Sequence, residues 1–296
     1  MPTSICRLAS KLLFASLLVA ALLLATVGGG AACQRSQALP THPDEAAGSQ
    51  VAPTHSDAPA AKPETPATST SSPRDVAEPS LQYLERVTGG ASSGDRLPLV
   101  VAIHGMGDRP ENWLDVWDDF PRRVRVILPR APAPYGSGFS WFHYPPKSVE
   151  DVSREIRDAG DRVARLLTEI EKARPTSGKP IVTGFSQGGF LSFALAVDHG
   201  GEIAAAFPMS GGFPSPLWPT TPAPPDGPPI FAVHGDADTV VRIGPTRKAV
   251  AKLKELGFHV ELKEYPGVGH TTLPSMQHEI RDRIVALVDA MAPAAK

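Results

Sequence analysis

Lys179-Pro180-Ile181-Val182-Thr183-Gly184-Phe185-Ser186-Gln187-Gly188-Gly189-Phe190 decides how the rest of the chain is read. A short apolar run ends in Gly-x-Ser-x-Gly and passes at once into Leu191-Ser192-Phe193-Ala194-Leu195-Ala196, a helix-forming segment. Strand, serine turn and helix in that order give the pentapeptide its meaning, because a serine on such a sharp turn projects its oxygen above the end of a sheet. Gly184 and Gly188 carry no Cβ and leave room for the turn. The amides that open the following helix point toward nascent negative charge. The expected chemistry is nucleophilic attack by Ser186.

The chain contains its own control. Gly90-Ala91-Ser92-Ser93-Gly94 fits the same pattern, but no apolar run precedes Ser92. Asp95-Arg96-Leu97-Pro98 follows it and opens a strand, so Ser92 reads as a polar connector.

Working outward from the serine, Leu97 to Ile103 is a near-continuous apolar run of the kind expected for a strand buried on both faces, ending in His104-Gly105-Met106-Gly107-Asp108. Trp113 to Trp117 is expected to be helical, Val124 to Leu128 a second buried strand, and Ala131 to Pro146 a loop rich in Pro, Gly and aromatics. Ser148 should open a long helix with Asp151 as its capping-box partner. Val149, Val152, Ile156, Val163, Leu167 and Ile170 form one apolar stripe along it. Ala204 to Met209 and Ile230 to Val233 read as strands separated by a proline-heavy loop over 213–229. His234-Gly235-Asp236-Ala237-Asp238, a helix over Thr246 to Leu256, a strand over Val260 to Tyr265 and a last helix over Leu273 to Met291 complete the pattern. The predicted class is α/β: a mostly parallel central sheet flanked by helices, with no large cap domain.

In such sheets functional residues gather beyond the carboxyl ends of the strands. Four post-strand loops carry chemistry here. The base must take the serine proton and return it to the leaving group, which suits imidazole. His270, in Tyr265-Pro266-Gly267-Val268-Gly269-His270, follows the last strand and fits that place. His104 and His234 also end strands but precede the nucleophile or the acid. His199, His259 and His278 suit surface roles. Asp236 and Asp238 both fit the acid by spacing, and the unused one is expected to cap the loop through backbone amides. Serine, acid and histidine in that chain order are the α/β-hydrolase arrangement.

Four segments, His104 to Asp108, Gly184 to Gly189, His234 to Asp238 and Gly267 to His270, together resemble the phospholipase/carboxylesterase family, which includes the acyl-protein thioesterases. Ser140-Trp141-Phe142 resembles a further family segment. The resemblance implies a serine carboxylesterase acting on short- to medium-chain esters or thioesters. It selects Asp238 as the acid beside Ser186 and His270, and places the oxyanion amides on Met106 and Gln187. Between Phe190 and Asp238 there is no room for a helical cap, so a fairly open site is expected, with Trp141 and Phe142 at its rim either as substrate contacts or, equally, as packing beneath the loop. His143 stands where the family often has aspartate, and Thr239 where it has proline.

An exported esterase for acetyl or feruloyl groups on polysaccharide and a lipid-tethered binding protein without turnover are the other two readings. No cofactor or metal is expected, since the chain has no His-Glu-x-x-His and no cysteine cluster. A formal charge of -2 on 296 residues gives no electrostatic reason to expect nucleic acid as a partner. A small-molecule or lipid ester is the expected partner, and oligomeric state leaves no trace in the pattern.

Both cysteines, Cys6 and Cys33, lie near the N-terminus. Arg7 and Lys11 precede an apolar run from Leu12 to Val27, followed by small residues, which describes an export signal over 1–32. The run is shorter than the roughly 20 residues of a spanning helix. Ala31-Ala32-Cys33 resembles the end of a bacterial lipoprotein signal, so Cys33 is the candidate lipidation site and the expected location is a membrane surface outside the cytoplasm. Residues 33–80 are rich in Pro, Ala, Ser and Thr and read as a disordered tether; 81–296 is the catalytic domain. Labelled palmitate should enter the full-length protein, and Cys33→Ser should abolish both the label and membrane fractionation.

Overall fold

The computed structural model describes residues 81–291; the expected export signal, Cys33 and the expected tether lie outside them. Seven strands form the main sheet in the order β1-β3-β2-β6-β7-β8-β9. They are β1 (Tyr83–Val87), β2 (Leu99–Ile103), β3 (Arg125–Pro129), β6 (Ile181–Phe185), β7 (Ala205–Met209), β8 (Ile230–Gly235) and β9 (Val260–Tyr265). Only β1 runs antiparallel, against β3; the other pairings are parallel. The strand that delivers Ser186 is therefore the middle one.

The helices are α1 (Val149–Ala173), α2 (Gln187–Asp198), α3 (Ile243–Glu255) and α4 (Pro274–Met291). Leu99, Val101 and Ile103 face α1, α2 and α3, together with Val182, Ala206 and Ala232. Val100 and Ala102 point the other way, into a cluster with Trp113, Trp117, Phe120 and Met276, Ile280, Ile284 and Val288 of α4. Alternate side chains of one strand thus feed two cores, and an apolar run without polar interruption is what this requires.

The long helix begins where the capping residues place it. The Ser148 hydroxyl accepts the Asp151 amide at 3.0 Å and donates to the Asp151 carboxylate at 2.9 Å. Ile156, Val163, Leu167 and Ile170 are buried as the stripe requires, while Val149 on the first turn is 44% exposed.

Three local features differ from the sequence reading. Tyr83–Val87 is an edge strand whose residues are all half-buried, so its sequence lacks the run that marks β2 or β3. Trp113 to Trp117 is helical as expected, but as part of a 3-10 helix that starts earlier and covers Pro110–Trp117. The Pro- and Gly-rich segment after β3 contains a small antiparallel hairpin, β4 (Ala133–Tyr135) and β5 (Gly138–Ser140). Strands this short are held by one neighbour and leave little periodicity to read. Ser148→Ala should lower stability by about 1 kcal/mol with activity intact, read as a shift in the urea midpoint.

Candidate active site

The site forms at the carboxyl ends of β2, β6 and β8 and beyond β9. Ser186 follows Phe185 and has φ 55 and ψ −116, a left-handed conformation rare for a residue with a Cβ. Its N–H donates to the Met209 carbonyl at 2.9 Å, which locks the turn to the neighbouring strand. A Cβ on Gly184 would lie 2.4 Å from the Gly188 carbonyl oxygen, and one on Gly188 would lie 2.0 Å from that of Ile103. The glycines are therefore demanded by close backbone approach, and the second brings the serine turn against the end of β2.

His270 reaches the serine from the loop after β9. Its Nε2 is 2.9 Å from Ser186 Oγ and its Nδ1 is 2.7 Å from Asp238 Oδ2. A carboxylate can only accept from Nδ1–H, which leaves the Nε2 lone pair facing the serine hydroxyl. The Phe185 ring packs against the imidazole at 4.9 Å. Asp236, the other aspartate, accepts the Gly267 amide at 2.6 Å and so holds the histidine loop; the amides of its own loop, which the sequence reading expects the unused carboxylate to cap, go to Asp238 instead.

The Asp238 side chain is fully buried. Burial alone would raise its pKa, but hydrogen bonds from His234, His270 and the Val241 amide outweigh it and hold the carboxyl well below the usual range. Its Oδ1 accepts the Val240 and Val241 amides at 2.9 Å each. His234, set aside as a base, sits beside Asp238. Its Nε2 is 2.8 Å from the Val241 carbonyl and so carries a proton, which also lies toward Asp238 Oδ2 at 3.3 Å. Three residues separate the two in the sequence, and only the turn after β8 reveals the contact.

His104 follows β2 directly and fixes the start of the Met106 loop. Its Nδ1–H donates to the Gly105 carbonyl at 2.7 Å, and its Nε2 accepts the Ala131 amide at 3.2 Å. The Met106 amide has no backbone acceptor among the described residues. Gln187 is the first residue of α2, where an amide lacks an intrahelical partner. A Cβ on Gly105 would lie 3.2 Å from the Ser186 Cβ, so the loop carrying Met106 abuts the serine. Trp141 and Phe142 are also brought here, but as packed side chains, 4% and 6% exposed. The Gln187 side chain, which the sequence offers no reason to single out beyond its amide, is equally buried.

A model of the family described as Phospholipase/Carboxylesterase matches residues 91–287. The chain belongs to the phospholipase/carboxylesterase family. It is similar to acyl-protein thioesterase 1 of Mycosarcoma maydis, at 29% identity over 222 residues, which span 65% of this chain and 90% of that protein. Among solved structures, acyl-protein thioesterase 2 of Zea mays is 25% identical, with a TM-score of 0.55 over 70% of this chain and 99% of that one. Esterase PE8, at 23% identity and a TM-score of 0.56 over 70% of this chain and 98% of its own, shares the fold. As a member of the phospholipase/carboxylesterase family the protein is a hydrolase of the esterase and thioesterase kind.

Burial pushes the His104 pKa below the ordinary histidine value, although the Gly105 carbonyl, Asp108 and Glu111 pull the other way. A histidine pKa lower in the folded than in the unfolded chain contributes stability that is complete above about pH 6.5 and is lost as pH falls toward the folded value. Protonation would also set an Nε2–H against the Ala131 amide. The urea midpoint should therefore fall between pH 7 and 5, and His104→Asn should flatten that slope.

Proposed function

We propose that the protein is a serine carboxylesterase that hydrolyses short- to medium-chain carboxylic esters or thioesters through an acyl-Ser186 intermediate. The continuous contact from Ser186 Oγ through His270 to buried Asp238, at 2.9 and 2.7 Å, carries this reading.

The chemistry follows from the tautomer. As Ser186 Oγ attacks the acyl carbonyl carbon, its proton passes to His270 Nε2, and Asp238 stabilises the imidazolium that results. Negative charge moves to the carbonyl oxygen, where the Met106 and Gln187 amides would receive it; each such donor is worth roughly 3 kcal/mol of barrier. The tetrahedral intermediate collapses with cleavage of the bond to the alcohol or thiol, which leaves with the proton from His270. Water, deprotonated by the same Nε2, then attacks the acyl-enzyme and releases the acid, restoring Ser186.

An uncovered site suits acyl groups of modest length. Between Ser186 and β8 the described helical elements are α2 and two single 3-10 turns, Gly200–Glu202 and Ser215–Leu217, too little to build a cap. With the lipoprotein-like sequence at Cys33, the reading places this activity on an exported, membrane-tethered domain.

The full-length protein should show burst kinetics and turnover on p-nitrophenyl esters, with rates declining for the longest chains. Ser186→Ala should lose the burst and at least about 10⁴-fold in kcat, and Asp238→Asn a similar factor while staying folded. A wild-type protein that neither turns over these esters nor reacts with a fluorophosphonate would overturn the reading and favour a binding role.

A further inference from the structure

Resting on that reading, the oxyanion site needs two amides to converge on one oxygen, yet Met106 belongs to the turn after β2 and Gln187 to the start of α2. We infer that Ser140-Trp141-Phe142 is a brace fixing one amide relative to the other, and that Trp141 and the Gln187 side chain are positioning residues of the oxyanion site rather than substrate contacts.

Both polar ends of the buried Gln187 side chain are used on this segment. Its Oε1 accepts the Trp141 amide at 2.8 Å, and its Nε2 donates to the Phe142 carbonyl at 2.8 Å. The Ser140 hydroxyl lies 2.7 Å from the Phe142 carbonyl and 3.1 Å from Gln187 Oε1, its one proton shared between them. On its other side the brace grips the Met106 turn. The Trp141 indole Nε1–H donates to the His104 carbonyl at 3.0 Å, and its ring centre lies 5.4 Å from that of His104. One residue earlier, the Phe139 carbonyl accepts the Gly107 amide at 2.8 Å, and the Phe139 amide donates to the Asp108 carbonyl at 3.0 Å. Residues 139–142 therefore hold the turn at 104, 107 and 108, and the helix at 187.

A substrate wall would keep a ring face open, whereas Trp141 is 4% exposed and its only side-chain N–H donor is spent on His104. Buried networks of this kind are stiff because each group has no water to turn to when its partner leaves. Stiffness matters here because a displacement of about 1 Å at a catalytic group can cost on the order of 10²-fold in rate.

Trp141→Phe keeps an aromatic side chain, smaller than the indole, and deletes the donor; Ser140→Ala is the milder cut. In the full-length protein, Trp141→Phe should lower kcat for p-nitrophenyl esters about ten- to a hundred-fold, equally for acetyl through octanoyl groups, with KM near wild type. Affinity for an alkyl boronic acid, which mimics the tetrahedral state on Ser186, should fall by the same factor, and Ser140→Ala should move both quantities together by less. Urea melts identify the folded fraction. A loss that varies with chain length and appears in KM would make Trp141 a substrate contact; unchanged kcat and boronate affinity in folded variants would make it packing alone. Either outcome overturns the brace. Absence of ester turnover in the wild type overturns the esterase reading itself.

Discussion

The backbone at Ser186 is the constraint on which the site depends. A positive φ at a residue with a Cβ costs on the order of 1–3 kcal/mol and persists only where its surroundings enforce it. Here the enforcement comes from both neighbours of the central strand. The Met209 carbonyl of β7 holds the serine amide, and the end of β2 receives Gly188 with no space for a side chain. Ser210, directly after Met209, is the other non-glycine described residue with positive φ, and its buried hydroxyl has no partner among the described residues. Strain is thus stored at the carboxyl ends of adjacent strands, where Ser186 meets His270.

Electrostatics follow the same geography. Asp238 has lost its water entirely, and backbone amides and two imidazoles replace it, so the carboxylate stays charged and dictates which nitrogen of His270 faces the serine. Charges elsewhere differ in kind. Arg122–Asp289 and Arg247–Glu264 are close pairs on the outside of the protein, each side chain more than a third exposed, where screening leaves little net effect. The buried Arg125, paired with Glu85, ties β1 to β3 at the sheet edge. It supports the fold without touching the site.

His104 and Trp141 connect the site to the packing beneath it. The imidazole is used on both nitrogens and the indole on its one donor, so the turn carrying Met106 is set by buried polar groups rather than by its exposed face. Aromatic residues in a loop near a nucleophile fit ligand contact and packing equally when only their order is known. Trp141 and Phe142 are both buried, which places them among the packing beneath the loop.

The sequence by itself determined the parallel sheet, its long capped helix and the order of serine, acid and histidine. Local rules govern each of these: uninterrupted apolar runs for strands buried on both faces, a serine that caps a helix, and glycines where two backbones meet. It left Asp236 and Asp238 equivalent by spacing, and resemblance to the family separated them. The tertiary structure alone shows the physical difference, since only Asp238 lies within reach of an imidazole 32 residues away. It alone also showed His234 against Asp238, the Gln187 side chain across the loop of Trp141, and the hairpin clamped onto the Met106 turn. Those contacts join residues far apart in the chain or hidden in irregular segments, and no periodicity records a hydrogen bond that exists only once the strands are packed.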